Sequence, residues 1–557
     1  MHHHAFSRRS AGIHSLPVEL LTRFFVLGSQ FEYLYEDSPF LLKPVQDYSP
    51  AEAPNFQVIV SQVCRHWRQI ALRTPSLWTT LHFRKVSHIQ RATTYLSRCS
   101  LSGTSNTYLL DILIDTVAEE DYLPGINLYK NELRTIFQEI VPHVRRWHAF
   151  HLKICDDDCK AQAREYLSTC GPAPSLETLQ LYHFTDYRTA QRLYLATYRP
   201  PVVVFSNTLP CLKNVSLIGV NLPWDKSPFL QDLHHLELAL HLDNIRTPYA
   251  YWDRMLRLSP ELRTLCLHYS GPKEATTADP ALVWPNLDDK IQLRSLQELS
   301  VTDLDPDYLC QVIQRLHIPS VNKLTLDLPD QNFTPFVELL TNSSAPGSTD
   351  NIGRANSTQT APRFYSTEHS SPSPTPPDSP ILSLRNLETL IVRALECSPS
   401  SLVSLLRATQ ALRVLQVDFA RVGGSLCQIF TEDPEITPLA ASPASPGFVH
   451  HPLLPLLEIM KIAGAPGKDI LDALHTRHWV SREPPAVSEK WIVGWDEKRR
   501  GADAELDALV DKGYWSFTGQ GREVRVIIET YDDEDEAAEV PDNDAESSDD
   551  EELEDEP

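Results

Sequence analysis

No stretch of this sequence approaches the ~20 consecutive apolar residues that a membrane-spanning helix requires. The start, three histidines followed by Arg8 and Arg9, also lacks the apolar core of a secretory signal. These absences, with ten cysteines dispersed singly at 64, 99, 155, 159, 170, 211, 266, 310, 397 and 427, predict reduced thiols and a cytoplasmic or nuclear protein, with no membrane partner. Basic residues are scarce relative to acidic ones, 50 Lys and Arg against 74 Asp and Glu. The net charge is −24, and residues 532 to 557 hold 16 Asp and Glu with no Lys or Arg, which leaves −8 on the rest. A chain of this charge is a poor match for a nucleic-acid backbone, which is bound by clustered cations that displace counterions.

The motifs of common active sites are equally scarce. There is no Gly-x-x-x-x-Gly-Lys-Ser/Thr phosphate loop and no Gly-x-Ser-x-Gly nucleophile elbow. His148, His151, Cys155 and Cys159 have a spacing that tempts a zinc assignment, but the histidines fall on a strand pattern and Asp156-Asp157-Asp158 reads as a solvated turn. Cys64 lies on an apolar helix face and reads as structural. The expectation is a chain with no catalytic residues, metal or cofactor.

What is present begins near the N-terminus. Ser15 is a good N-cap, Pro17 suits a first helical turn and Glu19 complements the helix dipole. Leu16, Leu20, Leu21, Phe24 and Phe25 then recur with helical spacing. A second helix, Val60 to Leu72, places Val60, Val63, Cys64, Trp67, Ile70 and Ala71 on one side, and Thr74-Pro75 stops it before Leu77 and Trp78. Two or three helices are too few to hide all of this apolar surface internally. It is covered either by a partner or by the rest of the chain.

The order Leu16-Pro17-x-Glu19-Leu20-Leu21, then Val63-Cys64-Arg65-x-Trp67-Arg68-x-Ile70-Ala71, then Thr74-Pro75-x-Leu77-Trp78 resembles the F-box in the form common in mushroom-type fungal proteins. The likeness covers residues about 15 to 80, with an inserted loop at 28–56 that carries Pro39, Pro44, Pro50 and Pro54. It implies binding to the adaptor subunit of an SCF-type cullin-RING ubiquitin ligase, and through it to a cullin. The implied adaptor-facing residues are Leu16, Pro17, Leu20, Leu21, Phe24, Val63, Cys64, Trp67, Ile70, Leu77 and Trp78.

The body repeats a Leu-x-x-Leu-x-Leu cassette. Clear copies start at Leu176, Leu233, Leu262, Leu296, Val321, Leu387 and Leu412, and looser ones at Trp147, Leu212 and Leu457. The alternating end of each cassette reads as a strand with one face buried. Between cassettes lie helix-like stretches such as Pro306 to Leu316 and Ser398 to Ala411. The pattern predicts an α/β fold in which a parallel sheet with helical returns forms an irregular solenoid, each unit burying its leucines against its neighbours. It resembles the leucine-rich repeat, a body common in the fungal F-box family. The spacing runs unevenly from 21 to 66 residues, and the repeat's usual asparagine is replaced by Phe184, His241, Ser270 and Ala420. Trp78 to Phe83 and Tyr108 to Asp115 are expected to start the sheet and join it to the N-terminal helices.

Residues that alternate with the buried ones should line the exposed inner face of the sheet and hold a protein substrate. These are Thr178, Gln180, Tyr182, His235, Glu237, Thr264, His268, Glu298, Ser300, Lys323, Thr325, Asp327, Arg393, Gln416 and Asp418.

The expected organisation is a disordered N-terminus (1–14), the F-box-like domain (15–80) and the repeat domain (81–480). A cap (481–530), with a helix from Lys468 to Trp479 leading into it, and a disordered acidic tail (531–557) follow. Within the repeats, 341–380 is rich in Ser, Thr, Pro and Asn and reads as a disordered insertion, with a shorter loop at 421–452. Ser371-Pro372, Ser373-Pro374, Thr375-Pro376 and Ser379-Pro380 resemble proline-directed phosphorylation sites, or form part of a plain solvated spacer.

Overall fold

The computed structural model describes residues 16–31, 56–99, 108–183, 201–273, 284, 287, 289–342, 382–422, 453–480, 488–496, 500–512, 514–519 and 522–531. The N-terminal segment, the 341–380 insertion beyond Asn342, most of 421–452, Ser15, Phe184 and the acidic tail from 532 lie outside the described residues.

Three helices open the chain: α1 (Val18–Phe31), α2 (Phe56–Val63) and α3 (Arg65–Leu72). Helix α1 starts directly after Pro17, whose carbonyl accepts from Leu20 and Leu21 N–H. It runs on to Phe31, so the separation from α2 spans 32–55. Gly28 allows the close approach of the two helices, because a Cβ there would overlap the Phe56 ring. The single second helix expected from the sequence is divided. Cys64 adopts extended backbone (φ −159°), and its sulfur caps α3 by accepting from Trp67 N–H at 3.4 Å.

A short turn, Pro75–Trp78, leads from α3 directly into the sheet. Trp78 is the knot between them. It is fully buried, its indole N–H donates to Ala71 O at 2.9 Å, Tyr95 packs edge-on at 5.0 Å, and the Arg98 guanidinium lies 4.2 Å over its ring. The expected direct join of helices and sheet is present.

The first half of the sheet is built from β1 (Thr80–Phe83), β2 (Leu110–Asp115), β3 (Trp147–Ile154), β4 (Thr178–His183), β5 (Asn214–Ile218), β6 (His235–Ala239) and β7 (Thr264–His268). Then come the short β8 (Ile291–Gln292), β9 (Glu298–Thr302), the short β10 (Leu316–His317), β11 (Lys323–Asn332), β12 (Thr389–Glu396), β13 (Val414–Asp418) and β14 (Ile459–Ala463). β15 (Glu489–Asp496), β16 (Tyr514–Gly519) and β17 (Arg522–Tyr531) complete the series. All ten cassettes supply strands. Fifteen strands form one sheet in chain order from β1 to β15, with β8 and β10 set aside as a separate pair, and with β17 then β16 at the far edge. Every pairing in the large sheet is parallel except β16 with β17.

Parallel neighbours require a crossover, and helices such as Lys130–Ile140, Asp157–Thr169, Pro306–Gln314 and Pro399–Ala408 supply it. The cassette leucines Leu179, Leu181, Leu236, Leu238, Leu265, Leu267, Leu324, Leu326, Leu390 and Leu415 are all buried in one continuous core that also contains Leu21, Phe25 and Ile70. The helices at the N-terminus and the strands therefore share an interior.

The missing asparagine is replaced by other hydrogen-bonding groups. At that position of their cassettes, Cys155 donates its S–H to Thr116 O at 3.0 Å, and His241 bridges Val220 O (3.1 Å) and Ser270 Oγ (2.8 Å). Ala420, which has no polar side chain, has its N–H bound by the Asp418 carboxylate at 3.0 Å. Asp156 opens the helix Asp157–Thr169 as its N-cap, with its carboxylate accepting from Cys159 N–H at 2.7 Å, which corrects the solvated-turn reading.

At the C-terminal end the expected helix is Gly467–His475, continued by a wider turn at Thr476–Val480. The segment expected to cap the solenoid instead extends it. β15 and β17 continue the parallel ladder, and the antiparallel β16 forms the outer edge.

Candidate functional site

Helix α1 carries two adjacent apolar stripes, because an α-helix places residues i, i+4 and i+7 on one side. One stripe, Leu21 and Phe25, faces inward and is buried, with Phe25 against the Trp67 ring at 5.0 Å. The other, Leu20, Phe24 and Leu27, stays outside at 46%, 54% and 52% exposure. Val18, at the first turn of α1 and on the side of Leu21 and Phe25, is exposed at 48%, and on α2 Ile59 and Val63 are exposed at 59% and 54%. Helices α1 and α2 thus contribute six of the fourteen large apolar side chains exposed among the described residues. Such a concentration on one packed helix pair marks an interaction surface.

Of the adaptor-facing candidates, Pro17, Leu20, Phe24 and Val63 are exposed, while Leu16, Cys64 and Trp67 are half-buried. Leu21, Ile70, Leu77 and Trp78 are corrected: at 0%, 5%, 2% and 0% exposure they are consumed by the chain's own core and offer nothing to a partner. Val18, Leu27 and Ile59 were not anticipated. The signal was available for Leu27, which continues the Leu20 and Phe24 stripe by one turn, and for Ile59, four residues before Val63.

The second candidate surface is the side of the sheet opposite the cassette leucines. In-register parallel strands place equivalent side chains about 4.8 Å apart, so they form continuous rows. One row runs His82, Leu113, His151, Gln180, Ser216, Glu237, Cys266, Ser300 and Thr325. Thr178, Gln180, Tyr182, Thr325 and Asp327 were expected to be exposed and are buried. The cause is packing along the rows. Gln180 meets His151 Nδ1 at 3.0 Å, Thr178 Oγ1 accepts from Asn214 Nδ2 at 3.0 Å, and Tyr182 joins Ile218, Ala239 and Leu240 in a small apolar cluster. His235, Glu237, Thr264, His268, Glu298, Ser300, Lys323, Arg393, Gln416 and Asp418 are half-buried. Glu298 pairs with Lys323 at 2.8 Å, and Ser216 donates to Glu237.

Burial dominates the electrostatics of this face. It lowers the pKa of His82 to about 3, and those of His151, His235 and His268 to about 4, so these imidazoles are neutral near pH 7. His148 moves upward, through its hydrogen bond to Asp111 at 2.9 Å and its proximity to Glu177. Burial raises Asp327, and Arg421 opposes this from 3.9 Å. The thiol of Cys155 is pushed up to about 12, which removes nucleophilic character.

Among the described residues no three His, Cys, Asp or Glu side chains converge as a metal site would require. No helix of the described residues is long and apolar enough to cross a membrane. No protein-family model matches the chain, and no curated protein matches it.

Proposed function

We propose that this chain is a substrate-recognition subunit of an SCF-type cullin-RING ubiquitin ligase. Residues 15–80 bind the adaptor, and the repeat body presents a protein for modification by a separate enzyme. The observation that carries this reading is the outward apolar stripe of Leu20, Phe24 and Leu27, which stays open while the stripe beside it is buried. The order of residues that resembles the F-box supports the adaptor as its occupant. Catalytic groups are not needed for such a role: holding cargo near a charged ubiquitin carrier makes the transfer effectively intramolecular.

The test is capture of purified adaptor by the wild-type chain and by Leu20→Asp/Phe24→Asp. Capture by wild type and loss in the double variant, with an unchanged melting temperature, supports the reading. Absence of capture by a folded wild-type chain leaves a scaffold that joins no ligase.

A further inference from the structure

We propose that Gly28 and Phe56 form a clasp that joins the outer stripes of α1 and α2 into one partner-binding surface, with Gly28 as its positioning residue. The identity of the partner rests on the ligase reading, whereas the clasp itself does not. Helices in a small bundle are ordinarily held in register by a connection of about two to eight residues. Here α1 ends at Phe31 and α2 begins at Phe56. A separation of that length costs little in closure entropy but sets neither the spacing nor the rotation of the two helices. Contacts between them must do so.

Gly28 and Phe56 stand towards the two ends of the separation, and they meet. A Cβ built on Gly28 would lie within 2.8 Å of three atoms of the Phe56 ring, closer than carbon atoms approach. The ring therefore occupies the place of a side chain on α1, and it is half-buried against the common core. Backbone conformation gives no reason for glycine here. Gly28 lies inside α1 and is not among the glycines with positive φ, and alanine is the better residue in a helix interior. The missing Cβ serves the ring alone.

Helical spacing carries the contact to the outer stripes. Leu20, Phe24 and Gly28 recur every four residues on α1, and Phe56, Ile59 and Val63 every three or four on α2, so each exposed set runs along its helix from the clasp. With the ring seated, the two sets are fixed relative to each other. A Cβ on Gly28 would force the ring out or α2 away, and either movement takes Ile59 and Val63 from their set distance to Leu20 and Phe24. A rigid partner that touches both sets then loses one.

Hydrogen exchange of the full chain, read by mass spectrometry on peptides from α1, α2 and the strands, tests the clasp without any partner. Capture of purified adaptor by the same variants tests its consequence. Gly28→Ala should speed exchange of the α1 and α2 amides at least about tenfold, leave β4 to β7 unchanged, and weaken adaptor capture at least about tenfold. Phe56→Ala should do the same by removing the ring. In that background the added Cβ meets no ring, so Gly28→Ala/Phe56→Ala should exchange no faster, and bind no more weakly, than Phe56→Ala alone. Unchanged or slower exchange in Gly28→Ala, which helix propensity by itself would give, overturns the proposal. So does a double variant more disturbed than Phe56→Ala, unfolding included. A Gly28→Ala chain that fails to fold beside a double variant that folds supports the clasp. Exchange that follows these expectations, with no capture by the wild-type chain, defeats the ligase reading and leaves the clasp standing. Faster exchange in Gly28→Ala with undiminished capture overturns the joining of the two stripes.

Discussion

Arg477 closes on both carboxylate oxygens of Glu489, with Nε at 2.9 and 3.1 Å and Nη2 at 2.6 Å, and the two residues are only 6% and 2% exposed. The remaining donors of the guanidinium reach Leu453 O at 2.7 Å and Leu454 O at 2.8 Å, while the Trp491 indole N–H and His478 complete the shell of Glu489. The cluster anchors the first residue of β15 to the segment before β14. These contacts hold the Glu489 carboxyl below its ordinary value in spite of the opposing effect of burial.

Breaking such a pair leaves one charge buried and unmatched. Glu489→Gln should therefore cost about 3–5 kcal/mol, read as a lower urea midpoint, with loss of the C-terminal strands before the rest if the unit opens separately. A midpoint unchanged within error would mean that Arg477 finds water in the variant.

Acid should destabilise the fold well above the carboxylate range. His151, His235 and His268 have folded-state values of about 4, against about 6.5 for a free imidazole. The unfolded chain thus takes up these protons first. Stability from these groups is full above pH ~6.5 and is lost as pH falls towards 4, by up to about 3 kcal/mol for each imidazole. His148 works in the opposite direction, since its raised value favours the folded state at low pH, but it is too exposed to offset the loss. Urea midpoints at pH 7.5 and 5.0 check this, and His151→Gln should flatten the slope.

Two tryptophan and leucine substitutions should separate packing from docking. Trp78→Ala removes a side chain at 0% exposure and should cost about 3–5 kcal/mol. Leu20→Ala, at 46% exposure, should change stability by less than about 1 kcal/mol. Comparable losses from both, measured by thermal denaturation, would show that the outer stripe is structural.

His241→Ala should cost about 1–3 kcal/mol by leaving Val220 O and Ser270 Oγ without their shared partner. His241→Asn places a side-chain amide at that position and should recover part of that loss.

The strands were legible because the cassette encodes burial by alternation: Leu179 and Leu181, or Leu415 and Val417, cannot both be hidden unless the segment is extended. The direct join of the helices to the sheet was also readable, from bulky Leu77 and Trp78 at a helix end. What could not be read was the division of labour among neighbouring apolar residues. Leu20 and Leu21 are chemically identical, and only the way α1 packs on the rest of the chain decides which one faces inward. Cys64 gave no sign of breaking a helix, since its capping depends on extended backbone that composition does not reveal. The burial of Gln180 escaped for a similar reason: it depends on His151 and Ser216 lying in register beside it, a relationship between distant cassettes.

Because Leu21, Phe25 and Trp78 belong to the same interior as the leucines of the strands, the N-terminal helices have no hinge on which to swivel. Anything clamped on the outer stripe is held at a set bearing and range from anything resting on the far strands, as on two arms of a caliper, and not as on a string. Inserting a flexible spacer at Thr79 would turn that caliper into a tether, and the spacing between the two bound objects would cease to be a property of the molecule.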